Sequence, residues 1–451
     1  MRIAVIGCGH VGLVTGACLA SLGHNVVFAD RDVQLVSLLE EGNLPIYEPH
    51  LDELFVRIRA NHRITFTFDS GDAVENAEVV FLCVGVPQLE SGDSDFSAMD
   101  VAIRQIARAG DKSKLIVVRS TVPVLTGQKL KHLLTVYRRD RQTCFTVAAN
   151  PQFLREGTAV NDFLHPERIV TGVEDSETER TLREIYRPIL EQNFHCPMHR
   201  EGCPRRSAPH LLVTSIKSAE LIKHTSNSFL AVKISYANVL ADLCERLGAD
   251  VQEVTHAIGL DSRIGPAFLL AGIGFGGSRL PKDLRAFCRL TQRAGLEAGI
   301  FEAAEEVNRN RTAVFFDKIQ RSLWVLKDKS IGMLGLAHKA NTDDIRGSPA
   351  IALYKSLSAA GARVYAYDPR AMNQTLAAFP DIVCGVDPYE VADRADALII
   401  ATDWPEFQSL DWNRIHDVMA RPVVFDGRNI LSPSKMKALG FAYESVGRPV
   451  R

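Results

Sequence analysis

Short apolar runs alternate with stretches of helical spacing along the N-terminal part of the chain. Residues 2–7 form an apolar run, residues 10–22 carry helical spacing, and residues 25–29 form a second run. This order predicts a strand, a helix and a strand. Further apolar runs lie at 79–84, 115–119 and 144–148. Because strands alternating with helices form a parallel sheet covered on both faces, we predict an α/β domain over residues 1–205.

From residue 213 to residue 293 the apolar residues keep helical spacing. Some of them form one apolar stripe along a helix, which predicts a long helix that connects two lobes. The stripe consists of Leu221, Phe229, Val232, Ala237, Leu240 and Leu243. Alternation then returns, with strand-like runs at 330–336, 363–367, 397–401 and 422–425. We therefore expect a second parallel sheet over residues 306–451, with residues 206–305 as the central helical region.

Composition narrows the class of protein. The chain has 451 residues, 46% of them hydrophobic and 24% charged, with a net charge of −2. This balance predicts a globular protein that binds small molecules or other subunits, without a basic face for nucleic acid or membrane. Nine scattered cysteines indicate reduced thiols, so we expect a cytoplasmic protein. No apolar run reaches about 18 residues and Met1 leads directly into a strand, so we expect neither membrane span nor signal peptide.

A glycine-rich turn follows the first predicted strand and opens the first predicted helix. It consists of Gly7, Cys8, Gly9, His10, Val11 and Gly12. Asp30 lies at the end of the second strand, where a carboxylate binds ribose hydroxyls and repels the 2′-phosphate of NADP. The pattern predicts an NAD site, because glycines and a helix N-terminus accommodate a pyrophosphate. Arg31, which follows Asp30, leaves NADP as an alternative cofactor. The structural alternative is that the glycines form only a tight turn that binds no ligand.

Polar groups follow later strands and a later helix. Residues 120–123 and 150–157 lie where α/β sheets bind ligands, although Thr-Val-Pro and Asn-Pro are also common in ordinary loops. Lys223 and Asn227 are four residues apart, so they lie on one face of the predicted helix. This face either contributes to a site or is an ordinary face exposed to solvent. The run at 272–277 has four glycines and suits either close approach to a ligand or a flexible turn.

Taken together, these segments resemble the UDP-glucose/GDP-mannose dehydrogenase family, which oxidises a sugar nucleotide twice with NAD to a uronic acid. The match covers nearly the whole chain, at residues 7–12, 45–49, 120–123, 150–157, 223–227, 263–265, 274–283, 339–346, 402–404 and 426–428. The resemblance implies two doubly wound Rossmann-like domains joined by a long central helix. Residues 1–205 would bind NAD, 206–305 would mediate dimerisation, and 306–451 would bind the UDP part of a sugar nucleotide.

The resemblance also assigns site residues. The catalytic positions that match are Thr121, Glu156, Lys223, Asn227 and Asp283. The implied cofactor contacts are Gly7, Gly9, His10, Val11, Gly12, Asp30, Val84, Gly85, Ser120 and Thr121. The implied substrate contacts are Phe153, Leu154, Arg263, Phe268, Leu269, Gly276, Lys339 and Arg428. The family further implies that Arg263 reaches the sugar of a neighbouring subunit in a homodimer. No metal is expected.

Two departures from the family concern one half of the reaction. Arg279 stands where the family has its nucleophilic cysteine, and Gln152 replaces a glutamate that acts in acyl-enzyme turnover. The first oxidation needs a base and a hydride acceptor, whereas the second passes through a thioester. The departures therefore predict a single oxidation. The alternatives are a catalytically silent protein that binds sugar nucleotide and NAD, and full activity through another nucleophile.

Smaller departures affect the backbone and one loop. His50 and Leu125 replace glycines, Val86 replaces a threonine, and Leu270 replaces a polar residue near the diphosphate. The segment 192–210 is longer than in relatives and carries His195, Cys196, His199, Cys203 and His210. This spacing does not match a standard zinc ligand set, so the segment is interpreted as a solvated loop between domains.

Overall fold

The chain divides into two units, Met1–Thr225 and Ser226–Arg451, each built around its own sheet. A computed structural model describes residues 1–89, 93–109, 113–196, 198 and 207–449. None of the helices in these ranges combines the length and apolar character that a membrane crossing requires. The eight cysteines in the described ranges form no disulfide, as the scattered pattern predicts.

The first unit contains an eight-stranded sheet. Its strands are β1 Arg2–Ile6, β2 Asn25–Ala29, β3 Ile64–Thr67, β4 Val79–Leu82, β5 Lys114–Val118, β6 Phe145–Ala149, β7 Arg168–Gly172 and β8 His210–Thr214. They follow the order β3-β2-β1-β4-β5-β6-β7-β8. The first six strands in this order, β3-β2-β1-β4-β5-β6, are parallel to one another. Strand β7 pairs with β6 in the antiparallel direction, at Ala149 and Gly172, and with β8 in the parallel direction. The α/β prediction is confirmed.

The helices of this unit cover the sheet. They are α1 His10–Ser21, α2 Val33–Glu41, α3 Leu51–Ala60, α4 Ser70–Glu75, α5 Ser97–Ala109, α6 Thr126–Tyr137, α7 Ala159–Leu164 and α8 Ser176–Leu190. Every residue of β4 and β5 is buried, which explains why their sequences are apolar throughout except for Lys114 at the start of β5. The apolar pattern did not predict β3, whose sequence Ile-Thr-Phe-Thr is half polar because it lies at the edge of the sheet.

The central region contains several helices and not one continuous helix. They are α9 Ile216–Leu247, α10 Val251–Gly259, α11 Leu280–Arg293 and α12 Gly299–Leu323. The predicted long helix exists as α9, which has 32 residues, and the helical pattern expected up to residue 293 continues in α10 and α11 with a non-helical segment at 260–279 between them. After α9, Gly248 adopts φ 74°, and Asp250 caps α10 by accepting a hydrogen bond from the Gln252 amide.

The second unit contains a six-stranded parallel sheet. Its strands are β9 Ser330–Leu334, β10 Arg363–Tyr367, β11 Val383–Cys384, β12 Ala397–Ile400, β13 Val423–Asp426 and β14 Ala442–Ser445. Their order is β11-β10-β9-β12-β13-β14. The further helices are α13 Pro349–Ala359, α14 Met372–Ala378, α15 Pro388–Ala392, α16 Pro405–Gln408, α17 Trp412–Val418 and α18 Pro433–Ala438. The predicted second parallel sheet is therefore confirmed.

Candidate active site

The turn after β1 has the backbone geometry of a dinucleotide cradle. Gly7 adopts φ 98°, a conformation that favours glycine. A Cβ at Gly12 would lie 1.8 Å from the carbonyl oxygen of Gly7, so α1 packs directly on the turn only because residue 12 is glycine. A Cβ at Gly9 would meet nothing within 4 Å, which leaves space for a ligand. The turn therefore fits a pyrophosphate at the N-terminus of α1.

Asp30 lies directly after β2 and fixes this turn. Its Oδ2 accepts a 2.7 Å hydrogen bond from the Cys8 amide, and its Oδ1 accepts one of 3.1 Å from the Asp32 amide. A carboxylate has about four acceptor positions, so it retains capacity for ribose hydroxyls. Ser120 connects the ends of β4 and β5, because its Oγ donates to the Val84 carbonyl at 2.6 Å. Gly85 follows with open space at its Cβ position.

The imidazole of His10 contacts a buried carboxylate beside the turn. His10 Nε2 lies 2.8 Å from Glu48 Oε2, and the Glu48 side chain has no exposed surface. The same Oε2 accepts from the Gly157 amide at 2.7 Å, and Oε1 accepts from the Ala159 amide at 2.7 Å. Glu48 was not among the predicted site residues. Its signal in the sequence was the matched segment 45–49.

Two predicted catalytic residues of the first unit line one small cavity at the ends of β5 and β6. Thr121 and Lys223 lie there with Ser120, Val122, Ala149, Pro151 and Glu220. Lys223 is 5% exposed, and its Nζ lies 5.2 Å from the centre of the Phe153 ring. Glu156 is also buried. The Gln152 side chain turns inward, because its Oε1 accepts a 2.7 Å hydrogen bond from the Leu154 amide.

Glu220 is a buried carboxyl group in this cavity that the sequence analysis missed. It is 3% exposed and accepts backbone hydrogen bonds from Leu125 at 2.8 Å and Gly127 at 2.7 Å. Burial raises the pKa of the Glu220 carboxyl to about 7, although these two hydrogen bonds lower it. Its position three residues before Lys223, on the same face of α9, was the available signal.

The second unit brings together Asn227 and Asp283. Asn227 Nδ2 donates to Asp283 Oδ2 at 2.6 Å, and the ammonium of Lys282 lies 3.1 Å from Asp283 Oδ1. Asp283 is 1% exposed and lies in the first turn of α11. Arg279 is the residue just before this helix, and its carbonyl accepts a 2.8 Å hydrogen bond from the Asp283 amide. The two residues are therefore one helical turn apart.

Several side chains hold the glycine-rich loop that precedes α11, among them Asn238, Asn308 and Arg428. Asn238 Oδ1 accepts from the Gly272 amide at 2.9 Å. Asn308 accepts from the Phe275 amide at 2.8 Å and donates to its carbonyl at 3.0 Å. Arg428 donates to the Gly274 carbonyl at 2.9 Å. A Cβ on Gly276 would lie 2.2 Å from the Gly347 carbonyl oxygen, so the loop is a packed element and not a flexible turn.

Arg428, predicted to contact substrate, is directed toward backbone carbonyls in the second unit. Besides Gly274, its guanidinium donates to Ala401 at 2.8 Å and to His338 at 3.5 Å. Burial lowers the pKa of this guanidinium, while nearby Asp403 and Asp426 raise it. These bonds connect the ends of β9 and β12 to the glycine-rich loop. Arg428 therefore has a positioning role in the structure.

The other predicted substrate residues lie in separate environments. Leu269 is buried, Phe268 adopts φ 65°, and Lys339 is half-buried. Arg263 is exposed and pairs with Asp261 at 2.6 Å. Leu154 is buried in the core of the first unit. The structure leaves substrate contacts for these residues as a prediction.

The segment 192–210 is described only in part, and its Cys196 is buried. Cys196 Sγ lies 3.3 Å from His165 Nε2. His199 and Cys203 of the same segment lie outside the described residues. Cys288 is 7% exposed on α11, and burial raises the pKa of its thiol.

Three family models match successive parts of the chain. The NAD binding domain of the UDP-glucose/GDP-mannose dehydrogenase family matches residues 1–190, its central domain matches 217–310, and its UDP binding domain matches 332–433.

Relatives match over the whole length. UDP-glucose 6-dehydrogenase of Rickettsia bellii is 41% identical over 453 residues, covering 100% of both chains. UDP-glucose 6-dehydrogenase TuaD of Bacillus subtilis is 38% identical, covering 99% of this chain and 93% of that one. The solved UDP-glucose dehydrogenase of Pyrobaculum islandicum is 36% identical, with a TM-score of 0.88 and coverage of 99% and 97%. With the dinucleotide cradle, these matches show that the chain belongs to the UDP-glucose/GDP-mannose dehydrogenase family and uses NAD as its cofactor.

Proposed function

We propose that this chain is an NAD-dependent dehydrogenase of a UDP-sugar of the UDP-glucose class, and that it oxidises the sugar only once. The observation that carries the proposal is Arg279, which precedes α11 one turn before the buried Asp283. By resemblance, this is the place of the nucleophilic cysteine. The expected product is an aldehyde or a keto sugar and not a uronic acid.

The chemistry of the second oxidation explains this limit. In the first step an alcohol loses one proton and one hydride, which gives a carbonyl group. When bound, NAD accepts the hydride at its nicotinamide ring. In the second step a thiolate adds to the aldehyde, the thiohemiacetal loses hydride to form a thioester, and water releases the acid. A guanidinium has no lone pair for that addition, so Arg279 cannot form the covalent adduct.

Other side chains near position 279 are poor substitutes. The thiol of Cys288 lies more than two helical turns further along α11, is buried, and has a raised pKa, so little thiolate is present. Ser278 is adjacent to Arg279, but an unassisted hydroxyl forms far less nucleophile at neutral pH than a thiol does. Gln152 is an amide and has no carboxylate with which to activate water for hydrolysis.

The groups that serve the first oxidation are retained. In the second unit, the carboxylate of Asp283 accepts a hydrogen bond from Asn227. This carboxylate is suited to receiving or relaying the proton of a substrate hydroxyl. In the first unit, Lys223 and Thr121 line one cavity and offer donors for a developing alkoxide. These retained groups favour an active dehydrogenase over a silent binding protein.

A homodimer is also part of the proposal. The second-unit part of α9 exposes large apolar side chains at helical spacing: Phe229 is 62% exposed, Tyr236 53% and Leu243 49%. Such a stripe on a monomer is typical of a protein interface. Sedimentation of the purified protein at micromolar concentration is expected to give twice the chain mass.

The number of NADH molecules formed per sugar tests the single oxidation. Limiting UDP-glucose is incubated with excess NAD, absorbance at 340 nm gives NADH, and mass spectrometry identifies the product. A continuous aldehyde trap prevents the first equilibrium from limiting the yield. We expect one NADH per sugar and a trapped carbonyl product. Two NADH per sugar with uronic acid would refute the single oxidation, and no NADH with any UDP-sugar would favour the silent protein.

Variants make this test sharper. Arg279→Cys restores the sulfur, so it is expected to accumulate a covalent acyl-enzyme that intact-protein mass spectrometry detects. Arg279→Cys combined with Gln152→Glu is expected to release acid and form two NADH per sugar. Cys288→Ala is the matched control, and it should leave the yield of one NADH unchanged. Loss of a second NADH in Cys288→Ala would identify that thiol as the nucleophile.

A further inference from the structure

A single buried carboxylate connects the cofactor turn to the segment that carries Glu156. Glu48 has no exposed side-chain surface and makes three polar contacts, with His10 Nε2 at 2.8 Å and with the amides of Gly157 and Ala159, which donate to it. Two of them, from His10 and Gly157, reach the same oxygen, Oε2. All four residues belong to the first unit.

The partners of Glu48 come from two functional segments. His10 is the first residue of α1 and belongs to the glycine-rich turn that fits the pyrophosphate. Gly157 directly follows Glu156, and Ala159 begins α7. Because peptide units are rigid, fixing the Gly157 amide also restricts the carbonyl end of Glu156. Glu48 therefore links the cofactor turn, through polar contacts, to the segment that holds the predicted catalytic residue Glu156.

The hydrogen-bond network defines the role of the imidazole. Glu48 Oε2 already accepts from the Gly157 amide, and a carboxylate oxygen accepts hydrogen bonds, so we assign His10 Nε2 as the donor in the 2.8 Å contact. Bonds from N–H donors to a buried carboxylate are charge-assisted and stronger than neutral ones. The two backbone amides alone would suffice if Glu48 only capped α7. The third donor, from the cofactor turn, adds a connection that capping does not need.

We propose that His10 and Glu48 are positioning residues that couple occupation of the NAD site to the placement of Glu156. A pyrophosphate at the turn restricts the first residue of α1, His10 holds Glu48 Oε2, and Glu48 holds the amides of Gly157 and Ala159. The inference goes beyond the number of oxidations and needs only NAD binding.

Amide hydrogen exchange at residue resolution tests the coupling without relying on catalysis. In the unaltered protein, NAD is expected to slow exchange at Gly157 and Ala159. His10→Phe removes the donor, and loss of a hydrogen bond to a charged group corresponds to an increase in exchange of about tenfold. The slowing by NAD should then disappear. His10→Gln keeps an N–H donor and is expected to restore both the slow exchange and the response to NAD.

Kinetics and controls separate coupling from a merely structural role. For His10→Phe we expect both a higher KM for NAD and a kcat lowered about tenfold, whereas local damage to the turn would raise KM alone. His132→Phe, at an exposed position on α6, is the matched control and should change neither value. Glu48→Gln also tests this link between the cofactor turn and Glu156, and thermal unfolding verifies that the variant folds. The proposal is refuted if His10→Phe keeps the response to NAD at residues 157 and 159, or if His10→Gln behaves like His10→Phe.

Discussion

Asn227 Nδ2 donates a 2.6 Å hydrogen bond to Asp283 Oδ2, although 56 residues separate the two in the chain. Both side chains are buried, with Asn227 8% and Asp283 1% exposed. A buried carboxylate must be held by donors, and the ammonium of Lys282 is a further contact of Asp283. The packing of α9 and α11 therefore brings Asn227 to Asp283, which lies one helical turn after Arg279.

Asn227→Ala removes one of these donors. We expect the free energy of unfolding to fall by about 1–3 kcal/mol, because the Asp283 carboxylate loses a hydrogen bond inside the protein. NADH formation should slow by about a hundredfold if Asn227 also stabilises a developing alkoxide. Urea unfolding and initial rates measure the two effects. Asn310→Ala, at an exposed position on α12, is the control, and an unchanged rate in Asn227→Ala would exclude the catalytic role.

Substituting alanine for either of two glycines of the cofactor turn is expected to impair the protein in different ways. A Cβ at Gly12 collides with the Gly7 carbonyl, so Gly12→Ala should lower the free energy of unfolding by about 1–3 kcal/mol and abolish NAD binding. Gly9 has φ −71° and open space, so Gly9→Ala should fold normally. Its added methyl group occupies the space for the pyrophosphate, and we expect the Kd for NADH to rise about tenfold or more.

Thermal unfolding and a fluorescence titration with NADH distinguish these two cases. Gly299→Ala, at the start of α12 with nothing near its Cβ position, should change neither measurement by much. Tight NADH binding in Gly9→Ala would mean that the pyrophosphate does not approach this residue.

His50 and Leu125 both stand in the left-handed region, with φ 68° and φ 77°. These are the two positions at which the family resemblance implies glycine, and the strain of a side chain there explains that choice. His50→Gly and Leu125→Gly are each expected to raise the free energy of unfolding by about 0.5–1 kcal/mol. Urea unfolding measures the change. Val136→Gly, in α6 and exposed, should instead lower stability by about 1 kcal/mol.

The stability of the protein should depend on pH through Glu220. Its pKa is raised from 4.5 to about 7 in the folded state, so the folded protein holds a proton that the unfolded chain releases. The contribution is fully present below pH 4.5 and is lost as pH rises toward 7 and above. We expect the free energy of unfolding to fall by up to about 3 kcal/mol across this window relative to Glu220→Gln.

Urea unfolding of the two proteins at several pH values measures this difference. Glu191→Gln, at an exposed position after α8, is the control and should follow the unaltered protein. A constant difference between the unaltered protein and Glu220→Gln from pH 4.5 to 7 would show that Glu220 titrates normally.

Strand prediction in the first unit succeeded for most buried strands, but it missed the interior strand β7, whose residues 169–172 are buried. The buried strands β1, β2, β4, β5 and β6 were predicted near their observed positions, because strands covered on both faces require continuous apolar residues. The edge strands β3 and β8 were not predicted, because a strand with an open face or edge tolerates polar residues such as Thr65 and His210. Short-range pattern carries no direct signal for sheet edges.

Residue identity alone determined which side-chain chemistry is available: a glycine turn with Asp30 for NAD and, under the proposed function, Arg279 in place of a nucleophilic sulfur. Only the tertiary structure decided which side chains meet. It buried Glu220, directed Arg428 to three backbone carbonyls, and joined His10 to residues 157 and 159 through Glu48. The reason is physical, because chemical reactivity belongs to a side chain, whereas burial and hydrogen-bond partners come from segments distant in the chain.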